Sequence, residues 1–181
     1  ATYMGTKGLG ATSFISSSDL SDAATASFTG FDASLYDVYE FVLMNVIPAT
    51  DGAAFQMRTS GNGGTSYDSG ASDYKYEFSQ GASTRENDNS EAFIKLTKTN
   101  VGSASGERGV NGVIKVFGPH IETHTFISGL LSVETDGASM NAVTSSGKRI
   151  QATPVVNAVQ FFFSSGNIES GTITMYGMVN S

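Results

Sequence analysis

Apolar side chains in this chain recur at every second position, in short runs closed by Gly, Pro, Asn, Asp or Ser every ~8–14 residues. No window carries the i, i+3, i+4 spacing of an amphipathic helix. Segments of that kind bury an apolar face only by pairing sideways. Short strands joined by Gly-rich turns build a sandwich or a barrel rather than an α/β fold. Composition agrees, because Gly, Ser, Thr and Asn make up 74 of 181 residues. The charged helix-formers are few, at 8 Glu, 6 Lys and 4 Arg. Yet 39% hydrophobic content with 12 Phe and 7 Tyr is too apolar for a disordered polar chain.

Residues 36–47 give the strongest strand signal. Tyr39, Phe41 and Leu43 share one face and Val38, Val42, Met44 and Val46 the other. Two apolar faces read as a central strand covered by layers on both sides. Residues 54–59 alternate cleanly, with Phe55 and Met57 against Gln56 and Arg58. In 72–80, Tyr74, Tyr76 and Phe78 oppose Lys75 and Glu77. Residues 81–90 hold no apolar side chain larger than Ala and read as an exposed loop. Strands follow at 92–97, 110–117 and 123–134, the last with a bulge expected at Gly129. Ser145-Ser146-Gly147 reads as a hairpin turn between strands at 138–144 and 148–153. Phe161-Phe162-Phe163 reads as a strand buried on both faces, with association through the Phe run as the alternative, and 171–179 closes the chain.

The expected organisation is therefore an N-terminal arm over 1–24 and one all-β domain over 25–181. The domain is a two-sheet, jelly-roll-like β-sandwich of about ten or eleven strands. The arm reads as a flexible leader or as an extension docked on a neighbour.

Several function classes are excluded by composition. Without Cys there is no disulfide framework and no cysteine-ligated metal. A net charge of −7 opposes electrostatic nucleic-acid binding. No apolar run approaches the ~18 residues of a membrane span. No basic, apolar leader precedes residue 20, and Ala1-Thr2 fits a trimmed initiator Met, so synthesis in a cytoplasm is expected.

Candidate chemistry is sparse. His120, Glu122 and His124 would share one face of a strand and could offer two imidazoles and a carboxylate to zinc, although a polar solvent face is the simpler reading. Asp51, Asp68, Asp73 and Asp136 sit in turns, where Asp bonds its own backbone. Asp68 with Asp73, and Glu86 with Asp88, are oxygen-rich without the spacing of an EF-hand. Gly61-Asn62-Gly63-Gly64 lacks the Lys and the helix of a phosphate loop. No Gly-x-Ser-x-Gly elbow occurs, so no enzyme and no cofactor are expected. Tyr67, Tyr74 and Tyr76 near the Gly-rich loops are candidates for a glycan-stacking platform, although alternating Tyr in a strand reads more simply as core or sheet surface.

Longer strings carry a resemblance. Tyr36-Asp37-Val38-Tyr39-Glu40-Phe41, Asn45-Val46-Ile47-Pro48-Ala49-Thr50-Asp51-Gly52, and the run from Arg58 through Gly61, Tyr67 and Asp73 to Tyr74 resemble a family of tailed-bacteriophage virion structural proteins. Val101 to Gly106 and Val156 to Gly177 continue the likeness, which covers most of the chain after residue 25. The resemblance implies a β-sandwich in a virion, as a tail-fibre, tail-tip or capsid decoration component. Its partners would be other virion proteins and copies of itself, a trimer being the expected order, with a host-surface glycan as a further contact. The acidic charge suits the outer surface of a particle. A carbohydrate-binding module is the alternative from another class, and a sandwich hydrolase the third.

Overall fold

The computed structural model describes residues 12–179, and among these no helix forms. Twelve strands alternate along the chain: β1 (Thr12–Ala23), β2 (Ala26–Phe28), β3 (Tyr36–Pro48), β4 (Phe55–Ser60), β5 (Tyr74–Gln80), β6 (Thr84–Glu91), β7 (Ile94–Lys95), β8 (Val110–Phe117), β9 (Phe126–Glu134), β10 (Met140–Arg149), β11 (Ala158–Phe163) and β12 (Ile168–Val179). They divide into an eight-stranded sheet, β1-β12-β3-β8-β9-β10-β5-β6, and a four-stranded sheet, β2-β11-β4-β7. Every pairing is antiparallel. The all-β, two-sheet sandwich expected from the strand pattern is what forms.

The core lies between the sheets and is aromatic. Phe161 of β11 sits at its centre, with ring centroids 5.2 Å from Phe41, 5.7 Å from Phe55 and 6.2 Å from Phe28. The Phe41 and Phe28 contacts are edge-on and the Phe55 contact is stacked, geometries that add to simple burial. Burying each such ring contributes ~1.5–3 kcal/mol.

Several expectations change in the sheet. β3 is central in the large sheet but covered on one face only. Tyr39, Phe41 and Leu43 are buried, while Val38 and Val42 are half-buried and Met44 is exposed. Val46 belongs by parity with Met44, yet it is fully buried. A bulge explains this: the β3–β8 register shifts between Leu43 and Val46, and Asn45 takes φ +50°. One extra residue turns the next side chain inward. Gly171 of β12 accommodates the bulge, since a Cβ there would stand 2.6 Å from the Asn45 carbonyl oxygen.

The expected loop at 81–90 is instead mostly β6, an edge strand paired to β5. Its inward side chain Glu86 accepts hydrogen bonds from Tyr76 Oη and Lys95 Nζ, so no apolar residue was needed there. The expected hairpin at Ser145-Ser146-Gly147 is uninterrupted β10. Gly147 serves packing rather than turning, because a Cβ would meet the Ile94 side chain at 2.6 Å. Gly129 likewise stays in regular register with both neighbours, without a bulge. Of the three Phe in β11 only Phe161 and Phe163 point inward. Phe162 lies on the outer face under the Arg58 guanidinium, 4.8 Å from the ring centroid.

Of the segment expected to be an arm, 1–11 lies outside the described residues. Thr12–Ala23 is the edge strand of the large sheet, paired with β12 of the same chain from Thr12 opposite Met178 to Ala23 opposite Ile168.

Candidate functional site

The register of the large sheet sorts its outward side chains into rows. Val38, Phe117 and Phe126 lie side by side across β3, β8 and β9, and Val42, Val113 and Leu130 form a parallel row. Between them runs Glu40, Lys115 and Ser128, with Lys115 Nζ 3.0 Å from Glu40 Oε2. The row continues through Tyr176 of β12 to Phe14 of β1, whose rings meet edge-on at 6.1 Å. Leu130 is 67% exposed, Phe14 63% and Met44 56%. Among the described residues no layer lies above this apolar face. A depression of about 310 Å³ lies within it, walled by Val113, Leu130, Glu40 and Lys115.

Past β9 the same face changes character. Lys148 of β10 stands directly opposite Lys75 of β5, Ser146 opposite Glu77, and Glu77 opposite Asn87 of β6. A cavity of about 410 Å³ opens over this corner, bounded by Phe126 on one side and Asn87 and Asn89 on the other.

The residues singled out in the sequence fall elsewhere. Between β8 and β9, His120 lies in a turn, Glu122 in a bend and His124 in irregular chain, so the common strand face does not exist. His120 Nε2 lies 3.3 Å from Asp37 Oδ1, and His124 Nδ1 is 2.7 Å from the Ile150 carbonyl oxygen. No cluster of three metal-ligating side chains occurs among the described residues. Tyr67, Tyr74 and Tyr76 do not form a platform. Tyr74 is fully buried, donating from Oη to the Asp68 carbonyl and accepting from the Thr59 amide. Burial pushes its phenol up to about 12. Tyr76 is buried too, its hydroxyl on Glu86 Oε1 at 3.0 Å, and burial raises its phenol as well. Only Tyr67 remains half-exposed.

Of the turn carboxylates, Asp73 bonds its own turn, whereas Asp51 and Asp68 reach to other parts of the chain. Asp51 Oδ1 accepts the Ser103 amide and Asp73 Oδ2 the Gly70 amide. Asp68 holds Arg149, which is 1% exposed and was not singled out in the sequence. Arg149 Nε donates to Asp68 Oδ2 at 2.7 Å, and its Nη1 donates to the carbonyls of Gln151 and Pro154. That fork pins the end of β10 to the loops on either side of it. A single basic residue after a strand gives no sign of this role. Only an acid brought near from β4's following loop reveals it.

No family model matches the chain, and no curated protein and no solved structure matches it either.

Proposed function

We propose that the chain is a non-enzymatic structural protein of a tailed-bacteriophage virion, a tail-fibre, tail-tip or capsid decoration component, that assembles as a homo-oligomer through the outer face of its large sheet. The observation that carries assembly is that uncovered apolar face. The five strands β1, β12, β3, β8 and β9 span ~24 Å at ~4.8 Å each, and eight residues along them span ~26 Å. That footprint of about 600 Å², polar rows included, approaches the ~800 Å² per partner of a stable complex.

A second copy of the chain is the occupant that the charges favour. The face carries Glu40 and Lys115 already paired to each other, so copies can approach without burying an uncompensated charge. The virion placement rests on the resemblance of the strings between Tyr36 and Gly177.

Two measurements test the reading. Light scattering on the purified chain is expected to return a whole multiple of 18.9 kDa. Quantitative mass spectrometry of purified particles is expected to find the chain, with few copies for a tail part and hundreds for a capsid part. A monomer at every concentration, absent from particles, would sink the proposal.

A further inference from the structure

We propose that the corner cavity over β9, β10, β5 and β6 is a binding site for an acidic sugar, held through its carboxylate by Lys75 and Lys148. The proposal rests on neither assembly nor the virion, and it shares one side chain, Phe126, with the apolar face. Its starting point is a like-charge pair that the fold alone does not justify. Cross-strand partners on one face sit ~4.5–5.5 Å apart at Cβ, and like charges there are destabilising. Lys75 and Lys148 are such partners. Neither has an acid within ion-pair distance among the described residues, which is also true of Arg58, Lys98 and Arg108, but Lys75 and Lys148 alone are cross-strand partners that line one cavity. In a chain with only ten basic residues and a net charge of −7, two unneutralised ammonium groups converge on one cavity. Glu77, the acid that also lines it, is engaged by Arg85. An anion entering the cavity would meet both ammonium groups at once.

The rest of the cavity describes what carries that anion. Its ~410 Å³ lies within the ~300–1,000 Å³ range of small-molecule sites. Phe126 forms one wall, 55% exposed, with Lys148 Nζ 5.9 Å from the ring centroid. An exposed ring offers an apolar platform for the C–H face of a pyranose. The opposite wall is neutral and hydrogen-bonding: the amides of Asn87 and Asn89, with the Ser146 hydroxyl at the floor. Amides and a hydroxyl match sugar hydroxyls, which both donate and accept. The β5–β6 register shifts between Tyr74 and Tyr76, directly beside the cavity, and such a bulge re-aims edge side chains. A nucleic acid would need a basic track running beyond one pair of lysines, and the face supplies none.

The test is an amide-resolved NMR titration of the whole chain with glucuronic acid, N-acetylneuraminic acid, glucose and inorganic phosphate. At least one of the two acidic sugars is expected to shift the amides of 75–77, 87–89 and 146–148, and to bind about ten-fold tighter than glucose or phosphate. Lys75→Gln and Lys148→Gln should each weaken it about ten-fold while leaving the unfolding midpoint unchanged or higher, since the like-charge pair is relieved. Lys75→Arg should retain binding, which separates loss of charge from loss of fold. Equal affinity for glucose, equal affinity for phosphate, shifts at another place, or no shift at millimolar ligand would each overturn the assignment.

Discussion

The two faces of the eight-stranded sheet are both rich in apolar side chains, but only one is covered. On the inner face the side chains are large rings locked against the four-stranded sheet, with Phe41 edge-on to Phe161 and Phe28. On the outer face the apolar groups are interleaved with Ser, Thr, Asp19 and the Glu40–Lys115 pair, and they meet no second layer among the described residues. The inner face makes the fold. The outer face is free to be shaped for partners, and it differs along its own length, apolar from β1 to β9 and charged or amide-rich from β10 to β6. Apolar content therefore does not by itself locate a core; complementarity with a facing layer does.

Matched substitutions would break that contrast if it is wrong. The largest effect is expected at Phe161→Ala, which removes the ring at the centre of the core and should cost ~3–5 kcal/mol in urea unfolding. Leu130→Ala on the outer face should change the same measurement by less than ~0.5 kcal/mol. Equal losses would mean the outer face contributes to folding. Arg149→Leu comes next, at about 3 kcal/mol, because it strands Asp68 and two carbonyls in a buried junction. Thermal unfolding would show it, and a loss under ~1 kcal/mol would place Arg149 outside the framework.

Tyr74→Phe should cost ~1–2 kcal/mol at neutral pH, by leaving the Thr59 amide without its acceptor. The same residue sharpens the contrast through pH. Burial holds the Tyr74 and Tyr39 phenols at about 12, above the ~10 of an unfolded chain. The folded protein keeps protons that the unfolded chain releases. Their stabilising contribution is therefore complete below pH ~10 and is lost as pH rises towards ~12. Stability measured across that window should fall with pH, and less steeply in Tyr74→Phe. A flat profile in the parent protein would contradict the burial of both rings. The smallest effect on stability belongs to Leu130→Glu, within ~0.5 kcal/mol, yet it should abolish self-association in sedimentation. An unchanged oligomer would move the interface off this face.

Much of the inner face was legible. Alternation in β4, β5 and the end of β12 places Phe55, Met57, Tyr74, Tyr76, Phe78, Ile173 and Met175 inward, where they are. What alternation does not carry is the identity of the covering layer. β3 shows two apolar faces, and nothing local says that one of them meets no second layer among the described residues. β6 was illegible because its inward positions are filled by Glu86, satisfied by Tyr76 and Lys95 from other strands. Gly147 reads as a turn because glycine has two uses, and its packing use depends on Ile94. The site was less legible still. Lys75 and Lys148 become neighbours only through the β5–β10 register, and Arg149 meets Asp68 only in the folded chain. Conversely, Tyr74 and Tyr76 beside Gly-rich loops suggested a surface platform, when their alternation with Lys75 and Glu77 already marked them as the inward set.

The pairing of β1 with β12 has a mechanical consequence. Thr12 stands opposite Met178, so these two points lie at the same end of one antiparallel ladder. Tension applied between them would open the ladder from that end, one backbone hydrogen bond after another, rather than shear all of them together. Sequential opening needs only modest force. An assembly that must withstand pulling would have to route the strain sideways, through the broad face of the large sheet, and spare the seam between its first and last strands.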